Sequence, residues 1–272
     1  MSLAGFRSFD LDPLLAHETD AWRREFEWDF APAADLVRRF LDQQALNGFA
    51  LVEASAVAGY AYYVADENKG LIGDLYVVSG DRTGEERLLE ATINELAGTP
   101  GIVRVECQVM LLGDMRRRAL PRPDCLRRFD RQFMRASLDG AGALRPARLD
   151  GVVIEAWADR HSESAARLIP EAYRGHIDSQ INDQYHSTAG ARRFLHNIAQ
   201  YPGCGNFFRD GSRVAIDRRT GEVCGLSLAS LVGAGTGHIT QLCVAPERRG
   251  ERLGYELLRR SLEALDRAGC RA

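Results

Sequence analysis

Three arginines and two glycines lie close together near the end of the chain, in a loop that joins a strand to a helix. The loop, residues 247–254, follows the apolar run 239–244, which predicts a buried strand that Pro246 ends. The helix carries leucines on one face and charged residues on the other. The first-turn N–H groups of a helix have no acceptor within it, and the helix dipole adds a partial positive charge. Strand, loop and helix together predict a site for an anion.

This run resembles the pyrophosphate-binding loop of the GNAT N-acetyltransferases, whose usual form is Gln or Arg, two residues, Gly, one residue, then Gly or Ala. Residues 249–254 match the first and last positions, and the Val-Ala-Pro-Glu before them and the Gly-Tyr-Glu-Leu-Leu after them also fit. Arg252 stands where the family has its middle glycine. There its guanidinium could clash with the pyrophosphate or contact it directly. For the loop alone, an ordinary strand-to-helix turn is the alternative.

The resemblance implies acetyl-CoA as co-substrate and implies no metal. The pantetheine arm would pair with the strand backbone, and the pyrophosphate would rest on N–H groups of the loop. The cofactor-binding residues expected on this basis are Leu242, Cys243, Val244, Arg249, Gly250, Glu251, Arg252, Leu253, Gly254 and Tyr255. Cys243 is expected to be a buried thiol rather than a nucleophile, because nothing near it in sequence lowers its pKa.

Direct attack of an amine on the thioester needs a neutral nucleophile, so a base or a water chain must remove a proton. Many members of the resembling family place a glutamate on this strand, whereas this chain offers His238, Thr240 and Gln241. His238 has a suitable unperturbed pKa, although a histidine at a strand start is also typical of a structural residue. Gln241 cannot act as a base and could only orient water or substrate. His238 and Gln241 are the candidate catalytic residues.

The polar and aromatic segment 173–186 resembles the variable acceptor loop of the family. Its carboxylates, Asp178 and Asp183, could bind an ammonium group. Its other candidates could relay a proton, namely His176, Tyr185 and His186. A solvated surface loop is the alternative. The expected acceptor is a small-molecule or peptide amine, which the sequence does not identify.

The elements that must position these residues follow the GNAT order over roughly residues 151–269, and the first half of the chain repeats that order. The first half is predicted to contain two helices within residues 14–46, three antiparallel strands at 48–53, 59–64 and 73–78, a helix at 83–96 and a strand at 102–110. The fold class is therefore α+β, with two GNAT-like domains in tandem and mixed central sheets flanked by helices. Residues 1–139 form the first domain, 140–150 the linker and 151–272 the acetyl-CoA-binding domain.

The first copy lacks the anion chemistry of the second. Its loop, residues 79–86, carries three acids and places Glu85 where a cradle glycine is expected. Carboxylates at a helix N-terminus compete for the position that a phosphate would take. The first domain is therefore predicted to be degenerate and structural, with a second active site as the alternative.

The end of the first domain is rich in arginine. Residues 115–135 hold eight arginines, which predict either a solvated helix face paired with local acids or a basic patch that steers an anionic ligand such as CoA. Residues 129–138 are predicted to be the closing strand of the domain.

The second copy ends sooner than the first, since only three residues follow Gly269. A GNAT domain normally continues to a splayed strand, a helix and a closing hairpin, and this part carries the usual C-terminal tyrosine that protonates the CoA thiolate. We therefore expect an incomplete domain with weak or no activity as it stands. Its free strand edge would pair with another chain, for example in a homodimer, or be covered by other residues of the same chain.

Composition limits the function classes. A length of 272 residues, 45% of them hydrophobic and 27% charged, is typical of a globular protein with two domains. A net charge of −3 gives no general reason to expect nucleic-acid binding. The sequence has no apolar run long enough for a membrane span, no signal-peptide pattern and six scattered cysteines, which together predict a cytoplasmic protein with reduced thiols.

The expected function is transfer of an acetyl group from acetyl-CoA to an amine by direct attack in a ternary complex. One alternative is a tandem acyltransferase resembling mycothiol synthase, acting on a small amino-sugar thiol. Another is a non-catalytic CoA-binding or scaffolding module, which Arg252 and the absent C-terminal tyrosine favour.

Overall fold

The protein is described by a computed structural model that covers residues 2–66, 68–112 and 118–272. The chain forms two compact units. Unit 1 consists of Met1–Phe26 and Phe30–Gln132, and unit 2 consists of Glu27–Asp29 and Phe133–Ala272. Residues 133–150, which include the predicted linker, belong to unit 2. Among the described residues, none of the helices combines the length and the apolar character needed to cross a lipid bilayer.

Unit 1 is built on a five-stranded sheet in the order β1-β2-β3-β4-β5. The strands are β1 (Ser2–Gly5), β2 (Asn47–Glu53), β3 (Ala56–Asp66), β4 (Lys69–Val77) and β5 (Arg104–Cys107). The first four are antiparallel neighbours, and β5 runs parallel to β4. The sheet is therefore mixed, as the sequence predicted.

Three helices accompany this sheet: α1 (Asp12–Phe26), α2 (Ala31–Asp42) and α3 (Arg82–Gly98). Leucines of α3 at 88 and 96 are fully buried against β2 and β4, where they meet Leu51 and Leu75. Burial of a leucine side chain contributes about 1.5–3 kcal/mol, so this apolar contact holds α3 on the sheet.

Unit 2 contains a second sheet, in the order β10-β9-β8-β6, with β7 paired to β9. Its strands are β6 (Val152–Ala156), β7 (Asn206–Phe207), β8 (Arg213–Asp217), β9 (Val223–Gly233) and β10 (Thr236–Val244). Its helices are α4 (Ser162–Ala172), α5 (Asp178–Ile181), α6 (Thr188–Gln200) and α7 (Leu253–Arg267). Buried residues of α4, α6, α7 and the sheet form one core.

Close packing sets the distance between α7 and the sheet. An added Cβ on Gly225 would meet Leu257 Cδ1 at 2.9 Å, and one on Gly237 would meet Leu265 Cδ2 at 2.6 Å. Because contacts this short require a neighbour to move, glycine at both positions lets α7 lie directly on β9 and β10. The leucine face predicted from the sequence is the face that packs there.

The prediction of a closing strand at residues 129–138 is wrong. These residues belong to no helix or strand, and the Phe133 and Met134 side chains are exposed. A strand exists only where a neighbour accepts its backbone hydrogen bonds, and in this stretch Leu138 N–H donates to Arg271 O at 2.8 Å. The rest of the stretch is not part of a ladder in the described structure.

The helix considered for the arginine-rich run is also absent from its described part, residues 118–135. Pro121 and Pro123 explain this, because each removes a backbone donor and clashes with the preceding turn of a helix. Arg116 and Arg117 lie outside the described residues.

The last two residues lie beside the start of β10. Arg271 N–H donates to Gly235 O at 2.7 Å, and Gly237 N–H donates to Ala272 O at 2.8 Å. In unit 1, Arg104 of β5 lies in the same way beside Lys69, the first residue of β4. The two units thus share the order of antiparallel strands, loop, helix and return to the same strand edge.

Candidate functional site

The outer edge of β10 is the first part of the site. On its inner edge β10 pairs with β9, and a β-bulge lies between Ile239 and Gln241. Ala245 N–H donates to Cys224 O at 2.9 Å. Since hydrogen bonding alternates along an antiparallel pair, the backbone groups of Leu242 and Val244 face the outer edge. These two residues therefore offer backbone donors and acceptors to a ligand that lies along the strand.

The loop and the start of α7 are the second part. The first bond of the helix runs from Glu256 N–H to Arg252 O at 3.1 Å. Among the described residues, none accepts a hydrogen bond from the N–H groups of Leu253, Gly254 or Tyr255. Three such donors at the positive end of a helix dipole suit an anion, and they lie where the sequence predicts an anion site.

The two loop glycines leave room beside the backbone. Gly250 has φ +85°, which glycine adopts without strain, and a Cβ added there would meet nothing within 4 Å. A Cβ on Gly254 would meet Val244 Cγ2 at 3.5 Å, an ordinary contact. A ligand can therefore approach the backbone at both positions.

Arg252 adopts a left-handed backbone conformation, which favours glycine. This explains why the loop that this run resembles has glycine at the same position. The Arg252 φ of +62° lies in the left-handed region, which costs a residue with a side chain about 1–2 kcal/mol. The guanidinium lies over the Tyr255 ring, with Cζ 4.9 Å from the centroid. Arg252 thus keeps the loop conformation and holds its positive charge beside the first turn of α7.

The other two loop arginines bind groups of the protein. Arg248 pairs with Asp217 at 2.6 Å and with Glu251 at 3.1 Å. Arg249 donates to the Ala172 carbonyl at the end of α4. These side-chain contacts fix the loop against β8 and α4.

Gln241 is the centre of a buried hydrogen-bond cluster beside the outer edge of β10. Its Nε2 donates to the Tyr173 hydroxyl at 2.8 Å, and its Oε1 accepts from the Tyr185 hydroxyl at 3.2 Å. The two tyrosine rings stack at 4.1 Å. Because the Tyr173 oxygen accepts from Gln241, its own proton points to Leu242 O, 3.2 Å away. Burial raises the pKa of Tyr173, which keeps this proton in place at neutral pH.

Sequence reasoning did not select Tyr173. It named the segment that Tyr173 begins but chose the residues of that segment that could bind an ammonium group or relay a proton. The available signal was an aromatic residue directly after an apolar helix face, at the position where α4 ends beside the strand.

Glu256 was also missed as a structural anchor of α7. Its buried carboxylate binds Arg259 at 2.7 Å and Arg260 at 2.8 Å, and these partners lower its pKa to about 2.

The other acceptor candidates are dispersed along α5 and the turn that follows it. His176 lies edge-on to Tyr173, with ring centroids 5.5 Å apart, and its Nδ1 accepts from Asp178 N–H at 3.2 Å. Asp183 pairs with Arg193 at 3.8 Å. His186 contacts the Ser179 carbonyl through Nε2. Of the five candidates, Tyr185 contacts Gln241 and His176 adjoins Tyr173, whereas the other three have local partners.

His238 has different neighbours from Gln241. Its ring lies 5.1 Å from the Trp28 ring and 6.1 Å from the Phe133 ring. Burial lowers the pKa of His238, so the imidazole is neutral at pH 7. The structure thus brings Gln241 and Tyr185 together and places His238 in a separate aromatic cluster.

Cys243 is buried, and burial raises the pKa of its thiol to about 12, which leaves it unreactive at neutral pH.

The corresponding loop of unit 1 is occupied by carboxylates. Asp81 accepts a hydrogen bond from Gly84 N–H at 2.7 Å and so caps α3. Glu85, in the first turn, forms a buried ion pair with Arg118. A capped helix N-terminus has fewer free donors for a phosphate, as the acids in this loop predicted.

Comparison with known proteins agrees with this geometry. Residues 175–272 match the model of the "Acetyltransferase (GNAT) family". This stretch is therefore similar to the GNAT family, and it contains the outer edge of β10, the loop and α7. No curated protein sequence matches the chain significantly.

Several solved structures share the fold of the whole chain. A tandem GNAT protein from the clavulanic acid biosynthesis pathway is 17% identical, with a TM-score of 0.55 over 99% of this chain and 87% of its own. A GCN5-related N-acetyltransferase from Sphaerobacter thermophilus is 16% identical, with a TM-score of 0.53 over 99% and 84%. At these identities the similarity shows the fold alone: two units with the GNAT fold in tandem.

Proposed function

We propose that unit 2 transfers an acetyl group from acetyl-CoA to an amine by direct attack of the amine on the thioester. One observation carries the proposal. Within the continuous stretch 242–255, an open strand edge leads to a helix N-terminus whose first three N–H groups have no acceptor among the described residues. A long ligand with an amide-bearing arm and a pyrophosphate suits such a stretch, because the strand edge pairs with amides and the helix N-terminus binds anions.

The residues that would hold the co-substrate follow from these donors. Leu253, Gly254 and Tyr255 would bind the pyrophosphate through backbone N–H groups. Leu242 and Val244 would bind the arm through the outer backbone groups of β10. When bound, acetyl-CoA supplies an acyl group that is already activated as a thioester. The open space at Gly250 and Gly254 fits a ligand that approaches the backbone closely.

Gln241, Tyr173 and Tyr185 would line the acceptor side of the same strand. Gln241 cannot take a proton, so its role is to hold the two phenols in fixed orientations. Tyr173 donates its hydroxyl proton to Leu242 O, so the phenol would fix the strand edge beside the acceptor. The amine must then arrive neutral or lose its proton to water, because neither Gln241 nor a protonated phenol is a base at neutral pH.

The test is calorimetric titration of the full chain with acetyl-CoA, followed by measurement of free CoA thiol in the presence of a panel of amines. The panel includes peptide N-termini, polyamines, amino sugars and a small amino-sugar thiol, the acceptor class of the mycothiol-synthase-type alternative. We expect one bound acetyl-CoA per chain, because the α3 N-terminus of unit 1 is capped. Absence of binding, or a stoichiometry of two, would contradict the proposal.

A non-catalytic CoA-binding module is the second candidate. The observation that favours it is the identity of the side chains at the strand edge: the buried polar residue there is Gln241, and His238 lies among aromatic rings. Binding of acetyl-CoA without thiol release for any amine of the panel would support this second function and exclude acetyl transfer to those amines.

A further inference from the structure

We infer that Glu18 and Asp74 share a single proton in the core of unit 1 and that loss of this proton at higher pH loosens α1 from the sheet. This inference is independent of the proposed function, because it concerns the repeat whose helix N-terminus is capped. The two residues lie 56 positions apart in the sequence, on α1 and β4.

Both carboxyl groups are buried and already accept hydrogen bonds. Glu18 has no exposed surface and Asp74 is 7% exposed. Glu18 Oε1 accepts from Trp22 Nε1 at 3.1 Å, and Glu18 Oε2 accepts from the Tyr60 hydroxyl. Asp74 Oδ1 accepts from Leu75 N–H at 2.8 Å. The pair is therefore held in place from both elements.

Strand pairing puts Asp74 opposite Tyr62 and Tyr60 opposite Tyr76, so Asp74 and Tyr60 share one face of the sheet. Glu18 is bonded to the Tyr60 hydroxyl and therefore lies in the same buried cluster as Asp74. An ionised carboxylate has acceptors only, so two carboxyl groups in one buried cluster can bond to each other only when one of them carries a proton. With that proton the pair carries one negative charge, which the Trp22, Tyr60 and Leu75 donors stabilise. Without it, two like charges would lie in contact inside the core, and burial of an unpaired charge is expensive.

Among the described residues, few groups near the pair could compensate a second charge. Besides burial, the groups that change the pKa of Glu18 are Asp74, Tyr60 and Trp22. The groups that change the pKa of Asp74 are Glu18 and the Leu75 N–H. The other titratable groups that face the pair are acids as well: Tyr62 from β3, Tyr76 from β4 and Cys107 from β5. Burial, followed by repulsion from Asp74, raises the pKa of Glu18 well above its usual range.

Cationic groups act further from the pair. Arg24 on α1 lowers the pKa of the Tyr76 hydroxyl, and Asp20 on the same helix raises it. That hydroxyl is also hydrogen-bonded to Nδ1 of the exposed His17, at 2.6 Å. These contacts lie at the outer end of the cluster, where water screens their charge. They do not replace the shared proton.

The sign of the pH effect follows from linkage. The folded unit keeps a proton that the unfolded chain releases above about pH 4.3, the usual pKa of glutamate. The stabilisation is complete below that pH and is lost as the pH rises towards the raised pKa of the folded pair. Over this window the unfolding equilibrium constant increases by up to about tenfold per pH unit for one proton.

Helix α1 is the element that responds. Glu18 binds β3 through Tyr60 and β4 through Asp74, and Trp22 stacks on Phe30 with ring centroids 5.1 Å apart. Ionisation of the whole pair breaks the contact between Glu18 and Asp74 and repels α1 from β4. Unit 1 thereby has a proton-dependent connection between its first helix and its sheet.

The experiment compares the full-length wild-type protein with Asp74→Asn. Asparagine can accept from Leu75 N–H and donate to Glu18, so a single ionised carboxylate with three donors replaces the proton-sharing pair. Urea unfolding between about pH 5 and pH 9 should show a steadily increasing unfolding constant for the wild type and a flatter profile for the variant. Glu25→Gln, at an exposed position of α1, is the matched control and should keep the wild-type profile. Parallel profiles for all three proteins would overturn the inference.

A second measurement needs no variant. Infrared spectroscopy of the wild-type protein at neutral pH should show the carbonyl stretch of one protonated carboxylic acid, which disappears as the pH is raised. The loss of that band should coincide with faster amide hydrogen exchange in α1 and β4, after correction for the intrinsic effect of pH. A spectrum with ionised carboxylates only, at neutral pH, would overturn the inference even if Asp74→Asn does not fold.

Discussion

Asp74 and Gln241 occupy the same position in the two repeats. Each stands three residues before the last residue of the strand that leads into the loop and helix, β4 in unit 1 and β10 in unit 2. Both side chains are buried: Gln241 is hydrogen-bonded to Tyr173 at the end of α4, and Asp74 lies on the sheet face where Tyr60 binds Glu18 of α1. The two repeats therefore share a buried polar contact with different chemistry, a carboxyl pair in one and an amide between phenols in the other.

The first prediction concerns charge at the start of α7. Gly254→Glu should abolish binding of acetyl-CoA, whereas Gly254→Gln, of nearly the same size, should retain more of it. A carboxylate there repels the pyrophosphate and competes for N–H donors, and a hydrogen bond to a charged group is worth about 1.5–3 kcal/mol. The comparison is made by calorimetric titration of both variants.

Both variants should remain folded. A Cβ at Gly254 has ordinary contacts, and an acid in the first turn of a helix is favourable. Equal affinities of the glutamate and glutamine variants would show that the pyrophosphate does not bind at this helix terminus.

The second prediction concerns the left-handed backbone at Arg252. Arg252→Gly should be more stable than Arg252→Ala by about 1 kcal/mol, because alanine keeps the steric cost of the left-handed conformation and glycine removes it. Both variants lose the contact with the Tyr255 ring, so that contribution cancels in the comparison. Urea unfolding of the two proteins measures the difference. If alanine is as stable as glycine here, this loop does not have the backbone conformation described.

The third prediction concerns the tyrosine at the strand edge. Tyr173→Phe should destabilise unit 2 by about 1–3 kcal/mol, since Gln241 Nε2 loses its buried acceptor. Tyr201→Phe, at a tyrosine that is 46% exposed, is the control and should change stability by less than about 0.5 kcal/mol. Chemical unfolding monitored by circular dichroism measures both. Similar small effects for the two variants would mean that Gln241 is not held by Tyr173.

The fourth prediction concerns the pH dependence contributed by His238. Burial lowers the pKa of this imidazole, so the unfolded chain binds a proton that the folded unit excludes. The stability that neutral His238 contributes is present above about pH 6.5 and is lost as the pH falls towards the lowered pKa, at up to about 1.4 kcal/mol per pH unit. His238→Phe should flatten this part of the stability profile while keeping an aromatic ring beside Trp28.

The control for this prediction is His196→Gln, at an exposed position of α6, which should leave the profile unchanged. Unfolding free energies measured on both sides of about pH 6.5 distinguish the variants. A wild-type slope that persists in His238→Phe would assign the titration to another group.

Local sequence was sufficient for the parts of this protein that are made from neighbouring residues. The run from Val244 to Tyr255 contains its own strand end, its glycine turn and the start of an amphipathic helix, and each depends on residues within a few positions. The left-handed conformation of Arg252 follows from its position in the same loop. The strand end, the loop and the helix start of the candidate anion site could therefore be predicted without knowledge of any distant contact.

Tertiary structure alone decided which side chains meet beside that site. Gln241 contacts Tyr185 and Tyr173 across 56 and 68 positions of sequence, and these contacts exist only because α4 and the following turn pack against β10. The β-bulge between Ile239 and Gln241 interrupts the alternation of side chains along the strand, so sequence spacing does not reveal which face Gln241 takes. Tertiary structure also decided the pairing of Glu18 with Asp74. Their burial in one cluster is a property of the packed core, and neither α1 nor β4 predicts it alone.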